Sequence, residues 1–347
     1  MNDIFLVKDV DDKKQAMSKT VDDVLQICSS MNIDVVNMTG RITGQVLKTL
    51  KYMWRKGRVL IIYPYFISPG LPRKIGFRTF LLRLLSLRRK LIIYTVDLPL
   101  EQREIEGIYG TSEEYRIQEK IFKLADYIMV FGKEMEEIIK SKHSLPNASF
   151  IYFELLDYCI PGPIEVKSKL PSNQSNLVIA GHLMERIMRS TLESLPQIHN
   201  PEIKYHFYGL DGEWIRELRN DMIYHGQTDY YQIVKEVSKY DFGVVLRNLS
   251  SEHMKYLSTG STSRFSLYMA AGIPVLVPSG YSYPANIVKK YGVGVLFDNL
   301  EDLPAAIEKG TNSYTHLLSN VKELQKKVRS GFFIRRAMAE INPSAEI

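Results

Sequence analysis

Short apolar runs alternate with helical periods along almost the whole of this 347-residue chain, and that alternation leaves few folds open to it. A strand made of consecutive apolar residues must be covered on both faces, as happens when a parallel sheet packs between layers of helices. In the first half the runs are 4–7, 33–37, 59–63, 91–95, 127–130 and 149–151, with helical segments at 15–30, 43–55, 73–87, 112–124 and 133–142. The series breaks at Cys159-Ile160-Pro161-Gly162-Pro163 and a polar stretch to Asn176, where clustered proline and glycine mark a crossover. A second series follows at 177–180, 204–208, 222–224, 242–246, 275–277 and 294–297, closed by helices over 301–309 and 314–329 and a short last helix after Gly331. The expected class is α/β, with two doubly wound Rossmann-like domains at 1–158 and 172–330 and a terminal segment at 331–347.

Composition narrows the function. Hydrophobic residues make up 45% of the chain, yet no stretch of eighteen uncharged apolar residues exists to span a bilayer. Acids come early at Asp3, Asp9, Asp11 and Asp12, and no continuous apolar region follows, which argues against a secretory signal. Cys28 and Cys159 lie far apart without metal-ligand spacing, as expected of a reduced, cytoplasmic protein. The seven histidines show no paired ligand spacing, so no metal is expected. A net charge of +6 suits anionic ligands or an anionic surface and is too mild for nucleic acid. The segment 73–90 contains no acid and places its apolar residues on one broad helical face. It reads as a core-packed helix with a solvated basic face, or as a peripheral contact with anionic lipid or an acidic acceptor.

The stretch most suggestive of a ligand is 263–277, a helix that opens with Arg264-Phe265-Ser266, ends at Ala271-Gly272 and leads through Pro274 into a buried strand. Glycine permits a left-handed residue at the helix end and proline stops the helix. Its N-terminus directs free N–H groups and positive dipole at whatever binds there, which favours phosphate. Three further strand ends carry the same signature, at Ala180-Gly181-His182, Tyr208-Gly209 and Tyr224-His225-Gly226. One such glycine is an ordinary turn. Four on successive strands, at the edge where open α/β sheets bind ligands, point to a nucleotide site. The candidate donor contacts are Gly181, Arg186, Tyr208, Gly209, Tyr224, Gly226, Arg264, Phe265 and Ser266.

Residues 176–183, 205–209, 224–226, 240–245 and 255–257, followed by 263–277, resemble in order and spacing the bacterial GT-B transferases that include β-1,6-galactofuranosyltransferases and the glucosyltransferase acting on serine-rich-repeat adhesins. The first half is similar more loosely. Ser18–Asp23 resembles the family's small-basic loop entering the first helix, Thr95-Val96-Asp97 with Arg103 its His-Asp…Arg stretch, and Ala125–Ile128 its strand start. The resemblance implies two domains facing across a cleft, with a last helix crossing back to the first. It implies transfer of a hexose from a UDP-sugar (UDP-glucose, UDP-galactose or UDP-galactofuranose) to a saccharide, glycoprotein or lipid-linked acceptor. Asp97, at a strand's carboxyl end, is then the candidate base, or merely a cap for the next turn, and Thr20 an acceptor-side contact or N-cap.

Departures matter. The family's usual lysine is Arg264 here, which keeps the charge as a planar fork. Leu246-Arg247-Asn248 replaces a Trp-Asp-Gly, and His182, Glu185 and Val96 also differ from the pattern. Where retaining relatives place two glutamates, this chain has Thr259 and Leu267, which implies inversion. Asp9-Val10-Asp11 could mimic a metal clamp but is expected to be a solvated loop. Two other readings remain at this point: a non-catalytic GT-B partner of another transferase, with homo-oligomers open, and a sugar-nucleotide epimerase. The epimerase lacks both a Gly-x-Gly-x-x-Gly after the first strand and a suitably placed Tyr-x-x-x-Lys pair.

Overall fold

The computed structural model describes residues 3–7, 16–38, 41–66, 72–105, 107–164, 174–197 and 202–341, which fall into two compact units. The first contains β1 (Ile4–Val7), α1 (Ala16–Ser30), β2 (Asp34–Asn37), α2 (Ile42–Met53), β3 (Gly57–Tyr63), α3 (Pro72–Ser86), β4 (Arg89–Thr95), α4 (Pro99–Ile105), α5 (Ser112–Phe122), β5 (Tyr127–Val130), α6 (Lys133–Lys142) and β6 (Ser149–Tyr152). Its six strands are parallel in the order β2-β1-β3-β4-β5-β6. Phe5, Ile61, Ile93 and Ile128 are fully buried in it. Each such side chain contributes roughly 1.5–3 kcal/mol, which is why uninterrupted apolar runs mark these strands so clearly.

The second unit contains β7 (Gln174–Ala180), α7 (Glu185–Glu193), β8 (Glu202–Tyr208), β9 (Met222–Tyr224), α8 (Gln232–Val237), β10 (Phe242–Val244), α9 (Ser251–Leu257), α10 (Ser263–Ala271), β11 (Val275–Pro278), α11 (Ser282–Tyr291), β12 (Gly294–Phe297), α12 (Leu303–Asn312) and α13 (Tyr314–Ser330). Its six parallel strands run β12-β11-β10-β7-β8-β9, so the winding direction reverses between β7 and β10. Only two positions pair directly across that reversal, Phe242 with Leu177 and Gly243 with Val178. Backbone groups beyond them need another partner, and Tyr268 of α10 provides it. Its hydroxyl accepts from the Ala180 N–H at 2.9 Å and is placed to donate to the carbonyls of Val178 (3.1 Å) or Val244 (3.2 Å). The ring lies so close to the sheet that a Cβ on Gly243 would sit 2.4 Å from it.

Three details differ from the sequence reading. Helix α4 was not expected; seven residues are too few to show a helical period, although Pro99 at its start is a standard opening. Ser18–Asp23, expected as a loop into the first helix, lies inside α1, with Ser18, Lys19, Thr20, Val21 and Asp23 all buried. Thr20 is therefore not an N-cap. The chain also leaves the first unit at Leu155. Beyond it the Tyr158 N–H donates to the Val328 carbonyl at 2.9 Å, and the Tyr158 hydroxyl to that of Tyr230 at 3.1 Å, both in the second unit. Lys19 belongs with this segment, its ammonium donating to the Cys159 carbonyl at 2.8 Å and lying 4.5 Å from the Tyr158 ring centre. A last helix, α14 (Phe332–Ile341), joins the first unit from Phe333 onward, where Arg336 pairs with Glu154 at 3.2 Å.

Replacing Tyr268 with Phe keeps the ring packing and strands the backbone groups its hydroxyl serves. Tyr268→Phe should lower second-domain stability by about 1–3 kcal/mol in urea unfolding. An unchanged midpoint would mean that this hydroxyl is not what joins β7 to β10.

Candidate functional site

The carboxyl edge of the second sheet is built from glycines in close backbone contact. Gly181 follows β7 at φ +130°, Gly209 follows β8 at φ +148°, and Gly226 lies beyond β9 at φ +86°. The Gly181 N–H donates to the Tyr208 carbonyl and the Gly209 N–H to the Gly226 carbonyl, each at 2.9 Å. A Cβ on Gly209 would fall 1.6 Å from the Gly181 carbonyl oxygen, so this approach excludes any side chain. The Tyr224 hydroxyl donates to the Gly209 carbonyl at 2.7 Å and holds the turn from below.

Arg264 occupies the reversal point itself. It lies in the first turn of α10, whose N-cap Thr262 accepts from the Phe265 N–H and whose first turn carries no acid. The guanidinium lies against the open side of Gly181, where an added Cβ would meet Nη2 at 2.6 Å. On its other side Nη1 donates to the Leu246 carbonyl, just past β10. Nε is buried without a hydrogen-bond partner, and among the described residues no carboxylate pairs with this cation. Burial lowers its pKa from the usual arginine range, and Arg247 nearby pushes the same way. Arginine keeps its charge through such shifts, so the crevice between β7 and β10 holds an uncompensated cation beside a helix N-terminus. Both features favour an anion.

The other expected donor residues divide into two groups. Gly181, Gly209 and Gly226 line the same edge as Arg264, and Arg186 is exposed in the first turn of α7. Tyr208, Tyr224, Phe265 and Ser266 have buried side chains. The Ser266 hydroxyl donates to the Leu156 carbonyl at 2.7 Å, and Tyr208 is hydrogen-bonded to Tyr240 at 2.9 Å. These four support the site from behind rather than face a ligand with their side chains. Two contributors escaped the sequence reading. Arg247 follows β10 on the ligand edge, a position readable in principle, and its N–H donates to the buried Tyr281 hydroxyl at 3.1 Å.

Behind Tyr208, His225 stacks on its ring at 4.6 Å and on His206 at 5.2 Å. His206 Nδ1 is 2.9 Å from His225 Nε2, and His206 Nε2 is 3.2 Å from the Asn176 side-chain oxygen. The partners assign the tautomers: His206 donates through Nε2 to Asn176 and accepts at Nδ1 from His225. Neutral rings fit this arrangement. Burial, reinforced by His225 and Lys204, pulls the His206 pKa down to about 4, and burial lowers that of His225 also.

In the first unit the carboxyl edge carries acids. Asp97 stands two residues beyond β4, half-buried, with Oδ1 accepting from the Leu98 N–H at 2.9 Å. Glu101 of α4, which the sequence reading passed over, is buried. Its Oε1 accepts from the Gln118 amide at 2.8 Å, and Oε2 has no partner. Burial raises its pKa, with hydrogen bonds and Lys142 opposing. Tyr63, at the end of β3, donates to Gln118 Oε1 at 2.5 Å, and burial together with Glu101 and Asp97 holds its hydroxyl protonated. Thr20 is buried within α1, and Asp9-Val10-Asp11 lies outside the described residues. Among the described residues no three His, Cys, Asp or Glu side chains gather as metal ligands.

Residues 177–341 match the family model described as Glucosyltransferase 3-like, C-terminal domain. Glucosyltransferase 3 of Streptococcus gordonii is 22% identical over 276 residues, covering 76% of this chain and 74% of that one. Among solved structures, sucrose-phosphate synthase from Thermosynechococcus elongatus aligns with a TM-score of 0.63 at 11% identity over 99% of both chains. An α-glucosyltransferase in complex with UDP and a 13-mer DNA containing an HMU base gives 0.59 at 12% identity over 98% of both chains. WaaG, a glycosyltransferase involved in lipopolysaccharide biosynthesis, gives 0.55 at 11% identity over 98% of this chain and 99% of its own. These structural likenesses establish the fold as GT-B. The matched segment contains Gly181, Arg264 and the reversal between β7 and β10.

Two outcomes test this geometry. Gly209→Ala should disrupt the strand-end contact and destabilise the second domain severely, whereas Gly226→Ala, with nothing within 4 Å of the added Cβ, carries only the backbone cost of its positive φ. Equal effects in thermal unfolding would refute the close approach. The second concerns pH. Between an unfolded His206 value near 6.5 and a folded value of about 4, the unfolded chain binds the additional proton, so stability falls as pH drops through that window. His206→Asn should flatten this part of the stability profile; an unaltered slope would remove His206 from the effect.

Proposed function

We propose that this chain, a bacterial GT-B glycosyltransferase, moves a hexose from a UDP-sugar to a saccharide acceptor with inversion and without a metal ion. The observation that carries the proposal is Arg264, a cation with no carboxylate partner among the described residues, set between the ends of β7 and β10 at the start of α10. A pyrophosphate seated there would meet a guanidinium fork and a helix N-terminus. The UDP present with the α-glucosyltransferase of the same fold is consistent with a uridine diphosphate ligand.

In this reaction the acceptor hydroxyl oxygen attacks the anomeric carbon and the bond from that carbon to the β-phosphate oxygen breaks. The electron pair leaves on UDP, and the acceptor proton passes to a carboxylate. Arg264 and the α10 N-terminus stabilise the charge that grows on the leaving phosphate. Positions 259 and 267 hold threonine and leucine, so neither offers a carboxylate near the donor face, which supports inversion. The base is assigned to the first domain, with Asp97 the foremost candidate and Glu101 the rival. The acceptor is assigned to the same domain, as a glycan on protein, on lipid or free.

UDP should raise the melting temperature, with the shift preserved in EDTA. Arg264→Ala removes a charge-assisted contact of about 1.5–3 kcal/mol, so UDP affinity should fall by about one to two orders of magnitude, and Arg264→Lys should recover part of it. Undiminished UDP binding by a folded Arg264→Ala protein would relocate the phosphate, with Arg186 next to test. Of Asp97→Asn and Glu101→Gln, the one that removes the base should cut turnover by about 10²–10⁴-fold while UDP binding persists. A product whose anomeric configuration is retained would refute inversion.

A further inference from the structure

Helix α2 is packed inside out. It buries Gln45 and Thr49 and turns Ile42, Leu47 and Leu50 to solvent, with Trp54 just beyond its end. Leu47, Leu50 and Trp54 cluster on the pole opposite the buried pair, as their spacing on a 3.6-residue period requires. Helix α3, packed against α2, buries Leu81, Leu82 and Leu85 but leaves Phe80 exposed, and Leu87 just past its end is exposed as well, the two lying three and four residues either side of an exposed Arg83. Trp54 and Leu87 are 66% and 70% exposed. The Arg88 guanidinium lies 5.4 Å from the Trp54 ring centre, which ties the two helix ends into one surface. Large apolar side chains turned outward together in this way mark a contact face.

The charge on this face is one-sided. No acid occurs between Asp34 and Asp97, while that stretch holds thirteen lysines and arginines, and the rest of the chain carries more acids than bases. Lys51, Arg55, Lys56, Arg83, Arg88 and Lys90 are exposed among the apolar residues. Next to the surface, a pocket of about 530 Å³ is lined by Lys56, Arg58, Arg88, Arg89 and Lys90, with Asp126 engaged by Lys90.

We propose that α2, the end of α3 and this basic pocket dock the first domain onto an anionic lipid bilayer. Leucines, phenylalanine and tryptophan enter the headgroup boundary while the cations meet lipid phosphates. A second copy is the poorer occupant, because pairing this face with itself sets one predominantly basic cluster against another. No helix among the described residues is long and apolar enough to cross a membrane, so the attachment is peripheral and reversible. The pocket accepts a phosphate headgroup at the edge of the patch. The docking reading is independent of the sugar donor.

Co-sedimentation with phosphatidylcholine vesicles, with and without phosphatidylglycerol, tests it directly. The protein should pellet only with the anionic vesicles, with a blue shift in tryptophan emission, and should release at about 1 M salt, where the screening length is about 3 Å. The triple variant Arg55→Glu/Lys56→Glu/Arg88→Glu should weaken binding by about tenfold or more. Trp54→Ala should weaken binding and abolish the emission shift. All four side chains are exposed, and unchanged circular dichroism and UDP-induced melting shifts would show that the variants remain folded. The proposal is overturned by absence of binding to anionic vesicles at low salt, or by undiminished binding of the triple variant. Retention on polyglutamate without vesicle binding would overturn it in favour of an acidic protein partner, and a dimer dissociated by Trp54→Ala in favour of a second copy.

Discussion

The second domain depends on how one phenol closes the gap where its sheet reverses. A doubly wound sheet creates a crevice at the reversal, because the two central strands send their connections to opposite sides. The same crevice leaves main-chain donors and acceptors without strand partners. Tyr268 fills that need from a helix, and Gly243, by having no side chain, lets the helix come close enough to do so. The position of α10 follows, and with it the position of Arg264 four residues earlier. The sheet's weakest join and the proposed ligand seat are thus held by the same helix.

The chemistry of the crevice comes from what is missing around the guanidinium. Buried cations ordinarily acquire a carboxylate, since a buried charge without compensation is costly. Arg264 has instead a carbonyl, a glycine face and a second arginine nearby. Burial and like charge both act against it, and an anion bound there would relieve both. The His206–His225 pair shows the contrary solution in the same domain: the rings stay neutral, satisfy each other, and support the Tyr208 turn without adding charge to the edge.

Much of the framework was legible in the residue order. Strands such as Tyr127–Val130 and Val275–Pro278 follow their apolar runs because burial on both faces tolerates such runs. The strand-end glycines were legible as well, since positive φ and close contact leave few alternatives. The details that could not be read depend on neighbours distant in sequence. A tyrosine inside a helix reads as core, and nothing local says that its hydroxyl bridges two strands. Phe265 and Ser266 look available at a helix start, yet they face inward because the helix rolls to bring Tyr268 to the sheet. Lys19 reads as solvated by default, although aromatic rings and a carbonyl from residues far along the chain enclose it. Glu101 sits on a helix too short to announce itself.

The path of the chain bears on how the protein is made. It passes between the units four times, the last three after Lys19, after Leu155 and after Phe332, so neither unit is a continuous segment. The first sheet leaves the ribosome early, but α14 is synthesised only after the whole of the second unit, and Arg336 meets Glu154 across a separation of 182 residues. Ordinary N-to-C domain-by-domain folding during synthesis is therefore interrupted. The first domain must wait, with part of its surface uncovered, until translation of the second is over. A chain halted before α14 would leave the first domain without its closing helix although its sheet had been made long before, which makes that helix a checkpoint for the domain.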